Sequence, residues 1–157
     1  MTDRRTAIVT GSTSGIGLGV AEALAAAGCN VMLNGFGDPD DIEAARARVD
    51  AAGPGHVRHH DADMADPQAI EDLVARTRET FGAVDVLVPN AGIQVVAPIE
   101  DLAPEKLDAL IRINLLSAFH LARFAFADMK RRGWGRVICI ASAHGLVASP
   151  YKSAYVA

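Results

Sequence analysis

Cysteine is scarce in this chain. Its two residues, Cys29 and Cys139, lie far apart with no CxxC or Cys/His ligand spacing. That pattern excludes a disulfide framework and a cysteine zinc site, and both thiols are expected to be small buried hydrophobes in a reducing compartment. An excess of positive charge is missing as well. With 15 Lys and Arg against 19 Asp and Glu, the formal net charge is −4, leaving no basic footprint for nucleic acid or an anionic membrane. No uninterrupted apolar run reads as long enough to span a bilayer. Met1–Arg5 leads into an apolar stretch without the apolar core of a secretory leader, so the expected address is cytoplasmic. Repeats, low-complexity tracts and linkers are also lacking.

What the chain has is alternation. Half of its residues are hydrophobic and 22% are charged, the balance of a globular protein, and 157 residues suit one domain around one core. Stretches rich in valine and isoleucine predict strands at Thr6–Thr10, Asn30–Asn34, His56–His60, Val84–Pro89 and Arg136–Ala141. The intervening segments are amphipathic. Ile16, Val20, Leu24 and Ala27 share one face of a helix that Gly28 can end. Asp38-Pro39 and Asp66-Pro67 each read as an N-cap followed by proline at the first helical position, with Gly53 and Gly82 closing those helices. A long helix is predicted from Pro104 to about Arg132, ended by Gly133. This order predicts an α/β fold with a doubly wound parallel sheet, in a single domain over residues 1–157.

The most informative stretch reads Thr-Ala-Ile-Val-Thr-Gly-Ser-Thr-Ser-Gly-Ile-Gly from Thr6 to Gly17, a strand entering a glycine-rich turn before a helix. Gly11 suits a sharp turn, Gly15 a close approach to a ligand, and Gly17 tight packing of helix on strand. Open N–H groups at the helix start suit a pyrophosphate, so a dinucleotide is the first ligand to consider. By itself the cluster also fits a tight turn before an ordinary helix. Its spacing, Gly11-x-x-x-Gly15-x-Gly17, also differs from the commoner G-x-G-x-x-G.

Four further places carry polar groups where an α/β sheet binds ligands. Asn90-Ala91-Gly92 follows the strand Val84–Pro89, and its small residues permit close backbone approach. Asn114 sits in the long helix among Ile111, Ile113, Leu115 and Leu116, neighbours that make a wholly exposed face hard to arrange. Ser142 lies at the carboxyl end of the last strand, and Tyr155 follows at the close of a loop. Each alone has a plain reading, as a turn or a solvated side chain.

Together these motifs resemble the short-chain dehydrogenase/reductase family over essentially the whole chain. The resemblance implies a Rossmann-type fold and a nicotinamide-linked oxidoreductase. It places the cofactor on Gly11, Thr13, Ser14, Gly15, Ile16 and Gly17, on Asn90, Ala91 and Gly92, and on Tyr155. Asp63 then contacts adenine, with Met64 beside it. Asn114 is implied to hold a backbone carbonyl and water of a proton relay. Ser142 is implied to bond the substrate oxygen, and Tyr155 to be the general acid/base. Pro89 departs from the asparagine more usual there. A free phenol with a pKa of about 10 is a poor base at neutral pH. The family supplies a lysine four residues after its tyrosine, and here that position falls past Ala157. The expectation is a partial chain, inactive by itself, whose remainder carries the lysine, further strands and a substrate lid.

Asn34-Gly35-Phe36-Gly37 offers neither an acidic residue for the ribose hydroxyls of NAD nor an arginine for a 2′-phosphate. Ser14 is likewise uncharged. With no cation for the extra phosphate, NAD is expected, with Phe36 on the adenosine side. Gln94, His144 and Lys152, with Ser142 and Tyr155, offer a cation and hydrogen-bonding groups suited to a small carboxylate substrate, although Lys152 alone also fits a solvated loop. Two alternatives stand: an NADPH-dependent reductase of 3-oxoacyl thioesters, and a nucleotide-binding fragment without turnover. His59-His60-Asp61-x-Asp63 is not read as a metal site, since adjacent strand residues point to opposite faces. The apolar run Leu115–Leu121, with Phe119, Phe124 and Phe126, leaves the long helix apolar around much of its girth. With the family's habit, this implies a homotetramer.

Overall fold

The structure, a computed structural model, describes residues 4–157. Five strands, β1 (Thr6–Val9), β2 (Asn30–Asn34), β3 (Val57–His60), β4 (Val86–Val88) and β5 (Arg136–Val137), form one parallel sheet in the order β3-β2-β1-β4-β5. The α-helices are α1 (Gly15–Ala26), α2 (Pro39–Ala51), α3 (Pro67–Phe81), α4 (Pro104–Ile111), α5 (Ser117–Arg132) and α6 (Ser153–Val156). The chain winds outward from β1 in both directions, pairing Thr6 with Asn30 on one side and Ala7 with Val86 on the other. This is the doubly wound topology that the alternation predicts, and it opens a crevice beyond the carboxyl ends of β1 and β4.

Side chains along a strand alternate between faces, so the sheet builds two cores. Ile8, Met32 and Leu87 pack with Ile70, Leu73 and Val74 of α3 and Leu121, Ala125 and Met129 of α5. Ala7, Val9, Val31, Leu33, Val86 and Val88 pack on the other face with Ala21 and Ala25 of α1 and Val49 of α2. At the amino ends of the strands, buried Asp85 accepts from the Thr6 N–H at 2.8 Å and from Arg132 at 2.6 Å. Arg132 also donates to the Val84 carbonyl, so the end of α5 is tied to the entry of β4.

Local chemistry accounts for the helix starts. Asp38 and Asp66 cap α2 and α3 by accepting from the Asp40 and Gln68 N–H groups, each at 2.9 Å, with proline next in both cases. Gly82 and Gly133 end their helices in the left-handed conformation. Gly53 does not: α2 stops at Ala51 on right-handed residues. A Cβ on Gly53 would lie 1.8 Å from the Ala25 carbonyl oxygen, so its role is close packing against α1.

Several expectations need correction. The buried face of α1 is Gly17, Ala21 and Ala25, while Ile16 is 68% exposed, because the helix lies so close to the sheet and the glycine turn that small residues must face inward. The long helix is not uniform: Arg112–Leu116 forms a π-helical turn between α4 and α5. Taken as one, Pro104–Arg132 is long and apolar enough to cross a membrane by length and composition, although charged residues interrupt its apolar run. In the fold, its Leu121, Ala125 and Met129 pack on the sheet. Cys29 is buried as expected, but Cys139 is exposed on the edge segment after β5. That strand is short by its ladder, yet the Ile138 and Ile140 N–H groups still donate to the Leu87 and Pro89 carbonyls at 2.9 and 3.0 Å.

Candidate active and cofactor site

The glycine-rich loop and the Asn90-Ala91-Gly92 turn form one unit beyond β1 and β4. The Thr10 hydroxyl oxygen accepts from the N–H groups of both Asn90 and Ala91, at 3.0 Å each. The Asn90 amide donates back to the Thr10 and Gly11 carbonyls at 2.8 and 3.0 Å. Gly11 has φ +60°, and a Cβ there would come within 2.9 Å of the Ala91 Cα. On Gly17 a Cβ would come within 2.3 Å of the Gly11 carbonyl oxygen, so the tight contact lies against the turn and Asn90 more than against the strand. By contrast, nothing lies within 4 Å of a Cβ built on Gly15. Ser14 makes no side-chain cap, and the first turn of α1 has no acidic residue. Its donors therefore face an open cradle that fits a pyrophosphate.

The neighbouring loops extend this cradle. The Thr13 hydroxyl lies 3.4 Å from the Phe36 carbonyl, and Phe36 projects, 65% exposed, between two grooves. One, of about 470 Å³, is lined by Thr13, Ser14, Leu18, Asp41, Ile42 and Arg48. The other, of about 570 Å³, is lined by Pro39, Glu43, His59, His60 and Asp61. Arg48 is paired with Glu22. Glu43 is held below the usual carboxylate range, foremost by the hydrogen bond it accepts from Arg46. Asp63 accepts from the Ala65 N–H at 2.8 Å and is exposed. Met64 is buried among Ile70 and Leu73, so its side chain serves the core and only its backbone can meet a ligand. His59 and His60 diverge as strand geometry requires, His59 to the Gly35 carbonyl at 2.9 Å and His60 to Asp72 at 3.0 Å.

The remaining predicted residues gather on the far side of the crevice. Asn114 sits in the π-helical turn and binds both peptide groups of Ile93, leaving Gln94 exposed on the next residue. Ser142 accepts from the His144 N–H at 3.1 Å and keeps its own hydroxyl proton free to donate. His144 Nδ1 lies 3.2 Å from the Val147 carbonyl, and its Nε2 lies 3.2 Å from Lys152 Nζ. An ammonium only donates, so Nε2 is the acceptor of this contact and Nδ1 the ring's donor toward the Val147 carbonyl. The Tyr155 ring stands edge-on to His144, with centroids 6.1 Å apart. The Ala97 N–H donates to the Tyr151 carbonyl at 2.8 Å, which joins the Gln94 segment to the loop bearing Lys152.

The arrangement thus joins an anion cradle, an apolar platform at Phe36, a hydroxyl donor, a phenol and an ammonium. Sequence reasoning missed Thr10, Ser12 and Asn34, which hold the loops together. A signal existed: each is polar at or just past the end of an apolar strand, and all three are buried here, where polar groups need partners.

The family model described as short chain dehydrogenase matches residues 5–157. The chain is 57% identical over 158 residues to a D-beta-hydroxybutyrate dehydrogenase of Cupriavidus necator, covering 100% of this chain and 60% of that protein. It is 55% identical over 153 residues to a D-beta-hydroxybutyrate dehydrogenase of Rhizobium meliloti, covering 98% and 59%. The chain therefore spans about 60% of the length of these curated relatives. Among solved structures, it superposes with TM-score 0.87 and 38% identity on a 3-oxoacyl (acyl-carrier-protein) reductase from Agrobacterium tumefaciens with NADP bound, covering 97% of this chain and 58% of that one. A metagenomic short-chain oxidoreductase in complex with NADP matches with TM-score 0.89 and 31% identity, covering 97% and 68%.

Proposed function

The chain belongs to the short-chain dehydrogenase family, whose fold binds a nicotinamide dinucleotide, and on that premise we propose that the protein oxidises (R)-3-hydroxybutyrate reversibly to acetoacetate with NAD. The observation that carries this reading is the cluster of Lys152, His144 and Tyr155. Lys152 Nζ, held 3.2 Å from His144 Nε2, binds the substrate carboxylate, with Gln94 as a second polar contact. Binding at that end presents the substrate hydroxyl to Ser142 and Tyr155. Ser142 donates its free hydroxyl proton to the substrate oxygen. Tyr155, as phenolate, takes the hydroxyl proton and becomes the phenol, leaving a ketone. The dinucleotide, when bound, supplies the hydride acceptor. In the reverse direction Tyr155 returns its proton.

Gly11, Thr13, Ser14, Gly15, Ile16 and Gly17 hold the pyrophosphate side, and Asn90, Ala91 and Gly92 close the wall toward the nicotinamide. Phe36, Asp63 and the Met64 backbone flank the adenosine. Support for NAD over NADP comes from charge. Asp41 and Glu43 line the grooves beside Phe36, and Arg48 is already paired with Glu22. A 2′-phosphate there meets carboxylates and an occupied guanidinium. We also propose a homotetramer through the apolar surface of α4, the π-helical turn and α5, where Leu107, Leu115, Leu116, Phe119 and Phe126 are exposed.

The test is a spectrophotometric assay of the protein at its full native length. NAD reduction with (R)-3-hydroxybutyrate, and little with NADP or the (S) enantiomer, is the expected result. Turnover confined to NADPH and a 3-oxoacyl thioester would replace this reading with the reductase. Dinucleotide binding without any turnover would leave a nucleotide-binding module.

A further inference from the structure

We propose that Asn34 is a positioning residue that fastens the three segments around the adenosine half of the dinucleotide into one rigid unit. The proposal rests on the cofactor reading above and assigns Asn34 no contact with the ligand. Asn34 ends β2 and is 1% exposed. Its N–H donates to the Ser12 hydroxyl at 3.0 Å, and its carbonyl accepts from the Ser12 N–H at 2.7 Å. Ser12 in turn donates its hydroxyl proton to the Val9 carbonyl at 2.6 Å. The backbone of Asn34 therefore locks β2 onto the glycine-rich loop.

The side chain reaches the other two segments. Its Oδ1 lies 3.4 Å from the Gly11 N–H, at the pyrophosphate turn. Its Nδ2 donates to the His60 carbonyl at 3.1 Å and to the Ala62 carbonyl at 2.9 Å, beyond the end of β3. An asparagine amide has one acceptor oxygen and two N–H donors, and all three are engaged. No other side chain of this size supplies that set: aspartate would set an anion against two carbonyls, and leucine would leave all the partners unpaired. The Ala62 N–H is held separately by His60 Nδ1 at 3.1 Å, while His60 Nε2 bonds Asp72. Both peptide groups of Ala62 are thus clamped, one residue before Asp63. Gly35 and Phe36, which follow Asn34 directly, are pinned by His59 and Thr13. A buried polar network of this kind confers a defined geometry where an apolar residue would serve packing alone.

The experiment measures ADP and NAD affinity by calorimetry, with kcat and KM for NAD, on the full-length protein and on Asn34→Ala, Asp63→Ala and the double variant. Asn34→Ala is expected to weaken ADP and NAD alike by about tenfold, raising KM for NAD with little change in kcat at saturation. Because Asn34 acts partly through the Asp63 segment, the double variant should lose less affinity than the product of the two single losses. A folded Asn34→Ala protein that binds ADP like wild type, or strictly multiplicative losses, would overturn the proposal. If Asn34→Ala does not fold, Asn34→Asp, which keeps the acceptor for the Gly11 N–H but loses both donors to the His60 and Ala62 carbonyls, enters the same cycle. Sub-multiplicative losses with Asp63→Ala then support the proposal, and wild-type ADP affinity or multiplicative losses overturn it. Failure of the wild-type protein itself to bind ADP or NAD would remove the cofactor reading along with this one.

Discussion

Asn114 closes on both peptide groups of Ile93, accepting from its N–H and donating to its carbonyl, each at 2.8 Å. This pair ties the π-helical turn between α4 and α5 to the segment after Asn90-Ala91-Gly92. A Cβ on Gly92 would meet Asn114 Oδ1 at 3.4 Å, an ordinary van der Waals contact, so Asn114 borders that turn as well. Replacing Asn114 by Leu leaves two peptide groups without partners, a cost of about 1–3 kcal/mol, and lets the Gln94 segment drift. Asn114→Leu should therefore lower both the melting temperature and kcat, with Asn114→Asp, which keeps the acceptor, falling between. Wild-type kcat in a folded Asn114→Leu protein would dismiss the coupling.

Two glycines of one motif should respond differently to alanine. At Gly17 the added methyl meets the Gly11 carbonyl at 2.3 Å and the Asn90 amide at 2.5 Å, so the cradle must open. Overpacking of that order costs about 1–3 kcal/mol and should weaken NAD binding about ten- to a hundredfold. At Gly15 the space is open but φ is +57°, so alanine brings backbone strain of about 1–2 kcal/mol instead. Calorimetric NAD titrations of Gly17→Ala and Gly15→Ala, beside their melting curves, separate the two. Equal losses in affinity would mean that steric contact at Gly17 is not what matters.

Lys152 and His144 should act as a pair on the substrate. Removing the ammonium in Lys152→Met is expected to raise KM for (R)-3-hydroxybutyrate about tenfold or more, the worth of a charge-assisted hydrogen bond. An uncharged hydroxy ketone of similar size should show no such change. His144→Phe keeps an aromatic ring against Tyr155 but loses the acceptor for Lys152, so it should shift KM in the same direction by less. If both substrates weaken together, Lys152 serves the loop and not the carboxylate.

Cys29 gives the fold an alkaline limit. Burial pushes its thiol above the ordinary 9.0, opposed in part by Arg5. The folded chain thus holds this proton more tightly than the unfolded one. Its contribution to stability is complete below pH about 9 and is lost as pH rises through the folded value. Melting temperatures measured from pH about 8 to 10.5 should fall less steeply for Cys29→Ala than for wild type. Parallel slopes would assign the alkaline loss to other groups.

Asp85 anchors the opposite end of the sheet. Its side chain is 8% exposed, while that of Arg132, its partner, is 36% exposed. Asp85→Ala leaves the Thr6 N–H unpaired as well, so a loss of about 2 kcal/mol is expected by urea unfolding. Activity at 25 °C should survive, because the site lies at the strands' other ends. A variant as stable as wild type would show the pair to be dispensable.

Much of this architecture was legible because its causes are local. Asp38 and Asp66 cap helices by bonding N–H groups two residues away, and their following prolines admit few other readings. Strand positions followed from runs of β-branched residues, and the doubly wound arrangement from right-handed crossovers, while the strand order came only from the fold. The π-helical turn was not legible, since Arg112–Leu116 continues the same apolar pattern as its flanks and one extra residue in a turn leaves no compositional trace. Ile16 was misplaced for a related reason: periodicity marks an apolar face, but the small residues Gly17, Ala21 and Ala25 face a wall too close for isoleucine.

By itself the amino-acid sequence determined the alternation of strands and helices, the glycine turn at the start of α1, and the set of side chains able to do chemistry. These depend on spacing, on caps and on φ preferences, which act within a few residues. Only the tertiary structure decided how those pieces meet. Thr10 bonds Asn90 across 80 positions, Asn34 reaches Ala62 across 28, and Lys152 finds His144 rather than solvent. Such contacts arise because parallel strands bring distant carboxyl ends to one edge of a sheet, where buried polar groups must find partners or remain unpaired.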